Sequence, residues 1–164
     1  MKKIALLIFI LFIASVSFSQ EKTRVVDRVY VGDGDFISIW HVCEDNNIPA
    51  QIIKVRSAFP EDAIQLGWDE GYAITDISYG GGYWSLVMDK GTNFGKQRWF
   101  TTDNADLEKD IQEGWAEGFN IQKICFGDGL YAVIMSEKPG HGTQSWFTRS
   151  TVSDFKSHVK ERYE

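Results

Sequence analysis

One pattern occurs twice in this chain at an offset of 47 residues, from Trp68 to Trp115, and it limits the possible folds more than any other feature. The segment Gly67–Tyr72 (GWDEGY) returns as Gly114–Phe119 (GWAEGF), and further matches follow in the same register. A period of this length is typical of repeat proteins, in which each unit buries its apolar face by packing against its neighbours. The sequence therefore predicts a series of similar, adjacent units.

A third, more divergent copy begins at about Thr23. Residues 26–31, 74–79 and 121–126 share the same apolar spacing, and each segment runs into a glycine-containing turn. Such turns allow positive φ and join two antiparallel strands tightly, so each copy is expected to contain a β-hairpin. The second strand of each hairpin is apolar or small on both faces, which favours a central strand. A third strand is expected at residues 51–55, 97–101 and 144–148.

A short helix is expected after each third strand. Leu107, Ile111 and Trp115 are four residues apart, so they place one apolar stripe toward the sheet. Gly71 and Gly118 are suited to end the first two helices, because a glycine in the left-handed region helps to satisfy the last helical carbonyls. The predicted fold class is α+β, with three β-β-β-α repeats and antiparallel sheets. The repeats are expected to surround a pseudo-threefold axis or to form a short propeller-like arc.

The repeats predict one domain over residues 20–164, with units at about residues 23–68, 69–115 and 116–164. No linker and no second domain are expected within that range. With 43% hydrophobic residues, the chain has enough apolar material for the core of a single domain of this size.

Residues 1–19 are interpreted as a signal peptide. The chain starts with Met1-Lys2-Lys3, continues with an apolar run from Ile4 to Ile13, and becomes small and polar up to Ser19. This order of a basic start, a short apolar segment and small residues is typical of a cleaved export signal. The apolar run is shorter than the roughly 20 residues that a membrane-spanning helix needs. We therefore expect a secreted or periplasmic protein without a membrane span after cleavage.

The charge balance bears on the class of partner. The chain has 17 Lys and Arg residues against 23 Asp and Glu residues, which gives a formal net charge of −6. An acidic chain without a basic cluster repels phosphate backbones and anionic lipid surfaces. Nucleic acid is therefore not an expected partner.

Two cysteines, Cys43 and Cys125, leave one disulfide conceivable in an oxidising compartment. Cys125 takes the place of Ser78 in its copy, and Cys43 falls at the start of a loop, so neither belongs to the repeating framework. We expect both thiols to be unpaired.

The sequence predicts neither a catalytic nor a metal-binding residue. A metal site needs clustered ligands at suitable spacing, and His41-Val42-Cys43 offers a single close pair. Nucleophilic catalysis needs a serine or cysteine with a histidine and an orienting acid, and no histidine recurs across the copies. No cofactor is expected.

Aromatic and amide side chains give the remaining signal. Trp99 and Trp146 occupy equivalent positions, each two residues after a glutamine, Gln97 or Gln144, and just after a loop that differs between copies. Exposed aromatic and amide groups on one rim would suit a peptide or glycan. These four residues are the predicted ligand-binding set. The alternative is that both tryptophans pack between neighbouring units.

The segment Trp68–Thr75, together with Tyr79-Gly80, Met88 and Gln97-x-Trp99, resembles a known repeat region of unknown function. That region, with the pattern W-x-x-G-[YF]-x-I-T, is found C-terminal in plant casein-kinase-I-like kinases and beside bacterial caspase-like peptidases. The resemblance extends from roughly Thr23 to the end of the chain. It implies an accessory or interaction region, and because no kinase or peptidase motif is present, it carries over no catalytic residue.

The expected function is a secreted, non-catalytic binding or interaction module. Its partner is expected to be an extracellular or periplasmic protein or glycan, because loops on a rigid scaffold are common recognition sites. The loops concerned follow the second strands, at Glu44–Pro49, Asp89–Gly95 and Glu137–Gly142. The alternative is a small secreted hydrolase, or a hydrolase inhibitor, that uses the loops near His141.

Overall fold

The computed structural model describes residues 24–32, 35–42, 50–140 and 142–163. The strands in these residues are β1 (Arg24–Gly32), β2 (Asp35–Val42), β3 (Gln51–Arg56), β4 (Ala73–Gly80), β5 (Tyr83–Asp89), β6 (Gln97–Thr102), β7 (Asn120–Gly127) and β8 (Leu130–Ser136). The helices are α1 (Glu61–Asp69), α2 (Leu107–Ala116) and α3 (Val152–Tyr163). Helices and antiparallel strands are thus mixed along the chain, as predicted.

The strands form one two-stranded and two three-stranded sheets. The hairpin β1–β2 is the first sheet, the second has the order β3-β5-β4, and the third has the order β6-β8-β7. All pairs are antiparallel. The three predicted hairpins are therefore present, and the second strand of two of them is the central strand of its sheet.

The sheets do not follow the unit boundaries expected from the sequence. The third strand of each copy pairs with the hairpin of the next copy: Ile53 of β3 lies opposite Val87 of β5, and Phe100 of β6 lies opposite Val133 of β8. A short helix separates each outer strand from the hairpin that it joins. The central strand of that sheet pairs with the outer strand on one edge and with the first strand of the hairpin on the other. Each three-stranded sheet with its helix is thus a β-α-β-β segment.

The predicted strand at residues 144–148 is wrong, because residues 142–149 are described without regular secondary structure. The equivalent residues 97–101 form a strand by pairing with β8, the central strand of the following hairpin. After residues 144–148, α3 is the only regular element in the described part of the chain, so no following hairpin offers an edge for pairing. A sequence with strand preference stays irregular when its pairing partner is missing.

Helices α1 and α2 lie close to their sheets at one glycine each. A Cβ atom on Gly67 would lie 2.6 Å from Met88 Sδ, and a Cβ on Gly114 would overlap the Met135 thioether. Both helices end at the expected glycines, which have φ of 81° at Gly71 and 88° at Gly118. These values lie in the left-handed region, where a side chain would be strained.

Two apolar clusters form the interior. The first lies between the β3-β5-β4 sheet, α1 and one face of the β6-β8-β7 sheet, and its fully buried members include Ile64, Ile77 and Ile134. The second lies between the opposite face of the β6-β8-β7 sheet and α2, around Ile111 and Met135. The hairpins are also in contact through their first strands, because β4 touches both β1 and β7.

Within the residues that the structure describes, no helix combines the length and the apolar character that a membrane crossing requires. Cys125 carries a free thiol, and the expectation that both thiols are unpaired stays a prediction. Cys43 lies outside the described residues.

Candidate functional site

Gln97, the first residue of β6, joins two sheets through its amide group. Its Oε1 accepts hydrogen bonds from the backbone N–H of Ile74, at 2.7 Å, and from Trp68 Nε1, at 3.3 Å. Its Nε2 donates to the Ile74 carbonyl, at 2.9 Å, and to Gln122 Oε1, at 2.6 Å. Ile74 lies beside an irregularity in the pairing of β4 with β5, between Ile74 and Asp76, where the backbone leaves the regular ladder. The Gln97 amide thus replaces a missing strand partner.

Gln144 makes the same contact one copy later. Its Oε1 accepts from the backbone N–H of Ile121, and its Nε2 donates to the Ile121 carbonyl, both at 2.6 Å. Ile121 also lies beside an irregularity, between Ile121 and Lys123 in β7. The segment after β8 is therefore attached to the last sheet in the way that β6 is attached to the preceding one.

A cleft of about 430 Å³ opens next to Gln97, at the end of α1. One wall is formed by Trp68, Tyr72 and the short residues around them, and the other by the loop that follows β5. The residues that line it are Trp68, Gly71, Tyr72, Ala73, Gly91, Thr92, Gly95, Lys96 and Gln97. One of the three predicted recognition loops, Asp89–Gly95, therefore meets one predicted site residue at a concave surface.

The loop wall of this cleft is fixed by the next sheet. The backbone N–H of Lys96 donates to Glu137 Oε2 at 3.1 Å, and the backbone N–H of Glu137 donates to the Lys96 carbonyl at 3.0 Å. Lys138 N–H donates to the Phe94 carbonyl at 2.8 Å. From the start of this loop, Lys90 Nζ lies 4.5 Å from the centre of the Tyr72 ring on the opposite wall, within cation–π distance. Hydrogen bonds to the next sheet thus fix the shape of the cleft, and its rim carries a lysine and an aromatic side chain.

The structure places the two predicted tryptophans in apolar clusters. Trp99 is partly buried in the first cluster, where its ring centre lies 4.8 Å from that of Phe59. Trp146 is partly buried in the second cluster, against the face of the last sheet. Both rings therefore pack between neighbouring segments, and their contact with a ligand stays a prediction.

Two other predicted regions fall outside the described residues: the loop Glu44–Pro49, apart from its neighbour Ala50, and His141. In the described part of the chain, no group of three or more His, Cys, Asp or Glu side chains is arranged to hold a metal ion. The hydrolase alternative that depends on His141 is therefore untested.

A partly buried ion pair was not anticipated from the sequence. Lys123 Nζ lies 2.5 Å from Asp76 Oδ1, and the aspartate is 3% exposed. The two residues are equivalent, since they stand 47 positions apart in β7 and β4. Opposite charges at equivalent positions of two copies indicate that the two strands lie next to each other at that position. This signal in the sequence could have identified the contact between Lys123 and Asp76.

Burial also perturbs a thiol near this ion pair. Loss of hydration raises the pKa of Cys125 above its ordinary value, against the opposing effects of a hydrogen bond to the Tyr79 backbone and of the Lys123 charge. A thiol held in its neutral form is a poor nucleophile. Cys125 therefore packs as a small apolar side chain between β7 and β4.

Comparison with known proteins identifies a family without an assigned activity. A family model described as a domain of unknown function, DUF7477, matches residues 31–164, which is most of the chain. No curated protein and no solved structure matches it. The resemblance to the W-x-x-G-[YF]-x-I-T repeat region stays a prediction.

Proposed function

The chain belongs to the DUF7477 family, and we propose that it is a secreted or periplasmic, non-catalytic binding module. A segment of a partner protein would bind in the cleft between the end of α1 and the loop Gly91–Lys96. The observation that carries this proposal is the convergence of Trp68, Tyr72, a glycine-bearing loop and Gln97 at one concave surface. Binding sites are commonly concave, largely pre-formed and equipped with a few placed polar groups.

The chemistry of the lining supports binding over catalysis. The described residues that line the cleft include no histidine, cysteine or carboxylate side chain. General acid–base and nucleophilic catalysis rely mainly on such groups. The lining instead offers aromatic surface, backbone groups of the glycine-bearing loop, the Thr92 hydroxyl and the Lys96 ammonium group. These groups can hold a ligand by hydrogen bonds and packing.

The position of Lys90 favours a polypeptide over a sugar. Sugars in protein sites are commonly stacked on an open aromatic face, and Lys90 lies over the face of Tyr72. A peptide carbonyl or carboxylate, in contrast, gains from the nearby ammonium groups of Lys90 and Lys96. The partner is therefore proposed to be a protein segment with an acidic or carbonyl-rich surface.

Photo-crosslinking tests the location of the contact. A benzophenone amino acid at Thr92, inside the cleft, is expected to capture a defined protein partner under native conditions. The same probe at Thr101, which is exposed on β6 outside the cleft, is the matched control and is expected to capture none. Equal capture at both positions would mean that the contact surface lies elsewhere.

The affinity for the captured partner then tests the contribution of individual cleft residues. Tyr72→Ala is expected to weaken binding by about tenfold, the loss typical of an interface aromatic. Phe119→Ala, at the equivalent position of the next copy, is the control and should leave the affinity unchanged. If the protein binds glycans and no protein, the ligand is a sugar and the proposed protein partner is wrong. If it turns over ester, peptide or glycoside substrates and His141→Ala stops the turnover, the hydrolase alternative is correct.

The wider arrangement proposed for the chain is a propeller-like arc of three units. The support is that β4 lies between β1 and β7, so the first strands of the three hairpins follow one another side by side. The likeness in strand order between the two three-stranded sheets agrees with this arrangement. A rigid arc of this kind would present its successive loops along one rim.

A further inference from the structure

The loop Gly91–Lys96, which forms one wall of the cleft, connects two different sheets. It follows β5, the central strand of the β3-β5-β4 sheet, and it leads into β6, the outer strand of the β6-β8-β7 sheet. Just before the loop, the backbone N–H of Lys90 donates to the Ala50 carbonyl at 2.9 Å, next to the start of β3. The position of this wall therefore depends on an attachment to each sheet.

The attachment to the β6-β8-β7 sheet is made by Glu137 and Lys138, the two residues directly after β8. The backbone N–H of Glu137 donates to the Lys96 carbonyl at 3.0 Å, and that of Lys138 donates to the Phe94 carbonyl at 2.8 Å. The Glu137 side chain adds a third hydrogen bond, because its Oε2 accepts from the backbone N–H of Lys96 at 3.1 Å. Of the three bonds, only this last one depends on the identity of a side chain.

The contact of the Glu137 carboxylate is not shared by the preceding copy. Glu137 stands 47 positions after Lys90, and the backbone N–H of each residue donates to the carbonyl directly before an outer strand, β3 or β6. The side chains differ, since Lys90 Nζ lies over the Tyr72 ring while the Glu137 carboxylate accepts from Lys96. An ammonium group cannot accept a hydrogen bond from a backbone N–H. The carboxylate contact is therefore particular to the loop that forms the cleft.

Gly95 leaves the space in which this carboxylate lies. Its φ is 71°, in the left-handed region, and a Cβ atom there would lie 2.7 Å from Glu137 Oε2. Gly95 belongs to the lining of the cleft, and Glu137 does not. The carboxylate thus contacts a residue of the cleft wall without being part of the cleft surface.

The loop has little else to fix its position. Residues 91–96 are described without helix or strand, and the described hydrogen bonds of this segment go to Glu137 or Lys138. Two of its residues are glycines, which lose more conformational freedom on ordering than other residues do. A loop that is already ordered before binding spares the partner the entropic cost of ordering it. The hydrogen bonds to Glu137 and Lys138 therefore bear directly on affinity.

We infer that Glu137 is a positioning residue for the cleft: its carboxylate holds the loop Gly91–Lys96 in the conformation that binds the partner, without contacting the partner itself. This inference rests on the proposed function, because it assigns a role at the proposed binding site. Without the carboxylate, the loop populates other positions, and the affinity falls with the population of the binding conformation. The coupling is reciprocal, so a bound partner in turn stabilises the hydrogen bond at Lys96.

Amide hydrogen exchange, measured residue by residue on the chain without a partner, tests the hold on the loop. Glu137→Ala is expected to speed exchange of the Lys96 amide by about tenfold, which corresponds to one hydrogen bond to a charged acceptor. Glu137→Gln keeps a side-chain oxygen as an acceptor and should restore most of the protection. Lys138→Ala is the matched control, because it changes an adjacent exposed side chain and leaves the backbone hydrogen bonds in place. Unchanged exchange at Lys96 in folded Glu137→Ala would overturn the inference.

The affinity for the partner captured at Thr92 tests the consequence for binding. Glu137→Ala should weaken binding by about fivefold, at the low end of coupling between two sites, whereas Glu137→Gln and Lys138→Ala should stay within about twofold. The direction of the change separates positioning from charge, because removing a negative charge near an acidic partner would by itself tighten binding. A partner that binds Glu137→Ala as tightly as the unmodified chain would overturn the inference and leave the proposed function standing.

A measurement on the unmodified chain gives an independent result that needs no substitution. Binding of the captured partner is expected to slow exchange of the Lys96 amide, although its hydrogen bond to Glu137 lies outside the cleft lining. Equal exchange with and without the partner would show that this hydrogen bond is not coupled to the cleft, and the inference would be wrong. If the probe at Thr92 captures no partner at all, the proposed function is wrong and the inference fails with it.

Discussion

The sheets β3-β5-β4 and β6-β8-β7 have equivalent strand orders, and each packs against a helix on one face, α1 or α2. Residues at equivalent positions in the two sheets nevertheless differ in burial. In β4, Ile77 is fully buried and Asp76 and Ser78 are buried beside it; in β7, Ile124 and Phe126 are exposed. Trp84 in β5 is buried against Phe59, while Tyr131 at the equivalent place in β8 is only partly buried. Similar sequences therefore reach different environments.

The difference follows from position along the chain. The inner sheet has a hairpin on each side, because β4 touches both β1 and β7. The last sheet has such a neighbour on one side, while α2 and residues 144–149 cover part of the other. The burial of two residues at equivalent sequence positions is thus set by the neighbouring segment as much as by the residue itself.

The largest expected effect concerns the isoleucine pair. Ile77→Ala should lower the free energy of unfolding by about 3 to 4 kcal/mol, because it leaves a cavity in a closed core. Ile124→Ala at the equivalent, partly exposed position should cost about 1 kcal/mol. Denaturant unfolding of both variants measures the difference, and equal losses would mean that the two sheets are covered alike.

Substitutions at Gln97 and Gln144 should differ less in their effect on the free energy of unfolding. Gln97→Leu removes the partner of the Ile74 N–H and one of the two donors to the Ile74 carbonyl, to which Gln122 Nε2 still donates, and it should cost about 2 kcal/mol. Gln144→Leu releases mainly the terminal segment, so the loss of global stability should be about 1 kcal/mol or less, with greater proteolysis near residues 144–149. If the two substitutions cost the same, the terminal segment is as integral to the fold as β6.

The two helix glycines should behave alike, because both helices pack in the same way. Gly67→Ala and Gly114→Ala each force a methionine sulfur aside, Met88 or Met135, at an expected cost of about 1 to 2 kcal/mol. Gly142→Ala is the control, since nothing lies within 4 Å of a Cβ there. Thermal unfolding of the three variants checks this; a neutral or stabilising change at Gly67 would show that the helix–sheet contact is looser than described.

The sequence predicted the hairpins, the helices and the glycines that end α1 and α2, because these depend on local spacing and on turn geometry. It did not reveal which hairpin each third strand joins. The pairing of β3 with β5 depends on a free edge brought near through α1, and no local pattern encodes it. The same limit explains the wrong strand at residues 144–148, where the sequence has strand character but no following hairpin offers a partner edge in the described part of the chain.

For the candidate site, the sequence singled out Gln97, which recurs as Gln144, and the loop Asp89–Gly95, which differs between the copies. It did not anticipate that Trp68 and Tyr72 form the opposite wall. Nor did it anticipate that the Gln97 amide is engaged by Ile74. Such roles depend on the distance between segments that are far apart in sequence.

The smallest expected effect concerns Cys125, whose counterpart in the inner sheet is Ser78. Its raised pKa means that the unfolded chain loses the thiol proton at lower pH than the folded chain does. Its contribution is therefore complete below the ordinary thiol pKa and falls as pH rises through the folded-state pKa. In a Cys43→Ser background, stability should decline across that alkaline range, and Cys125→Ser should remove the decline. A slope of opposite sign would mean that the thiolate is favoured in the fold.

The central claim is that each outer strand belongs to the sheet of the following hairpin. Cross-strand nuclear Overhauser effects between backbone protons test it most directly. The account predicts contacts between β3 and β5, near Ile53 and Val87, and between β6 and β8, near Phe100 and Val133. Contacts that instead join β3 to β2 and β6 to β5 would contradict it, because the sheets would then follow the three-stranded units read from the sequence.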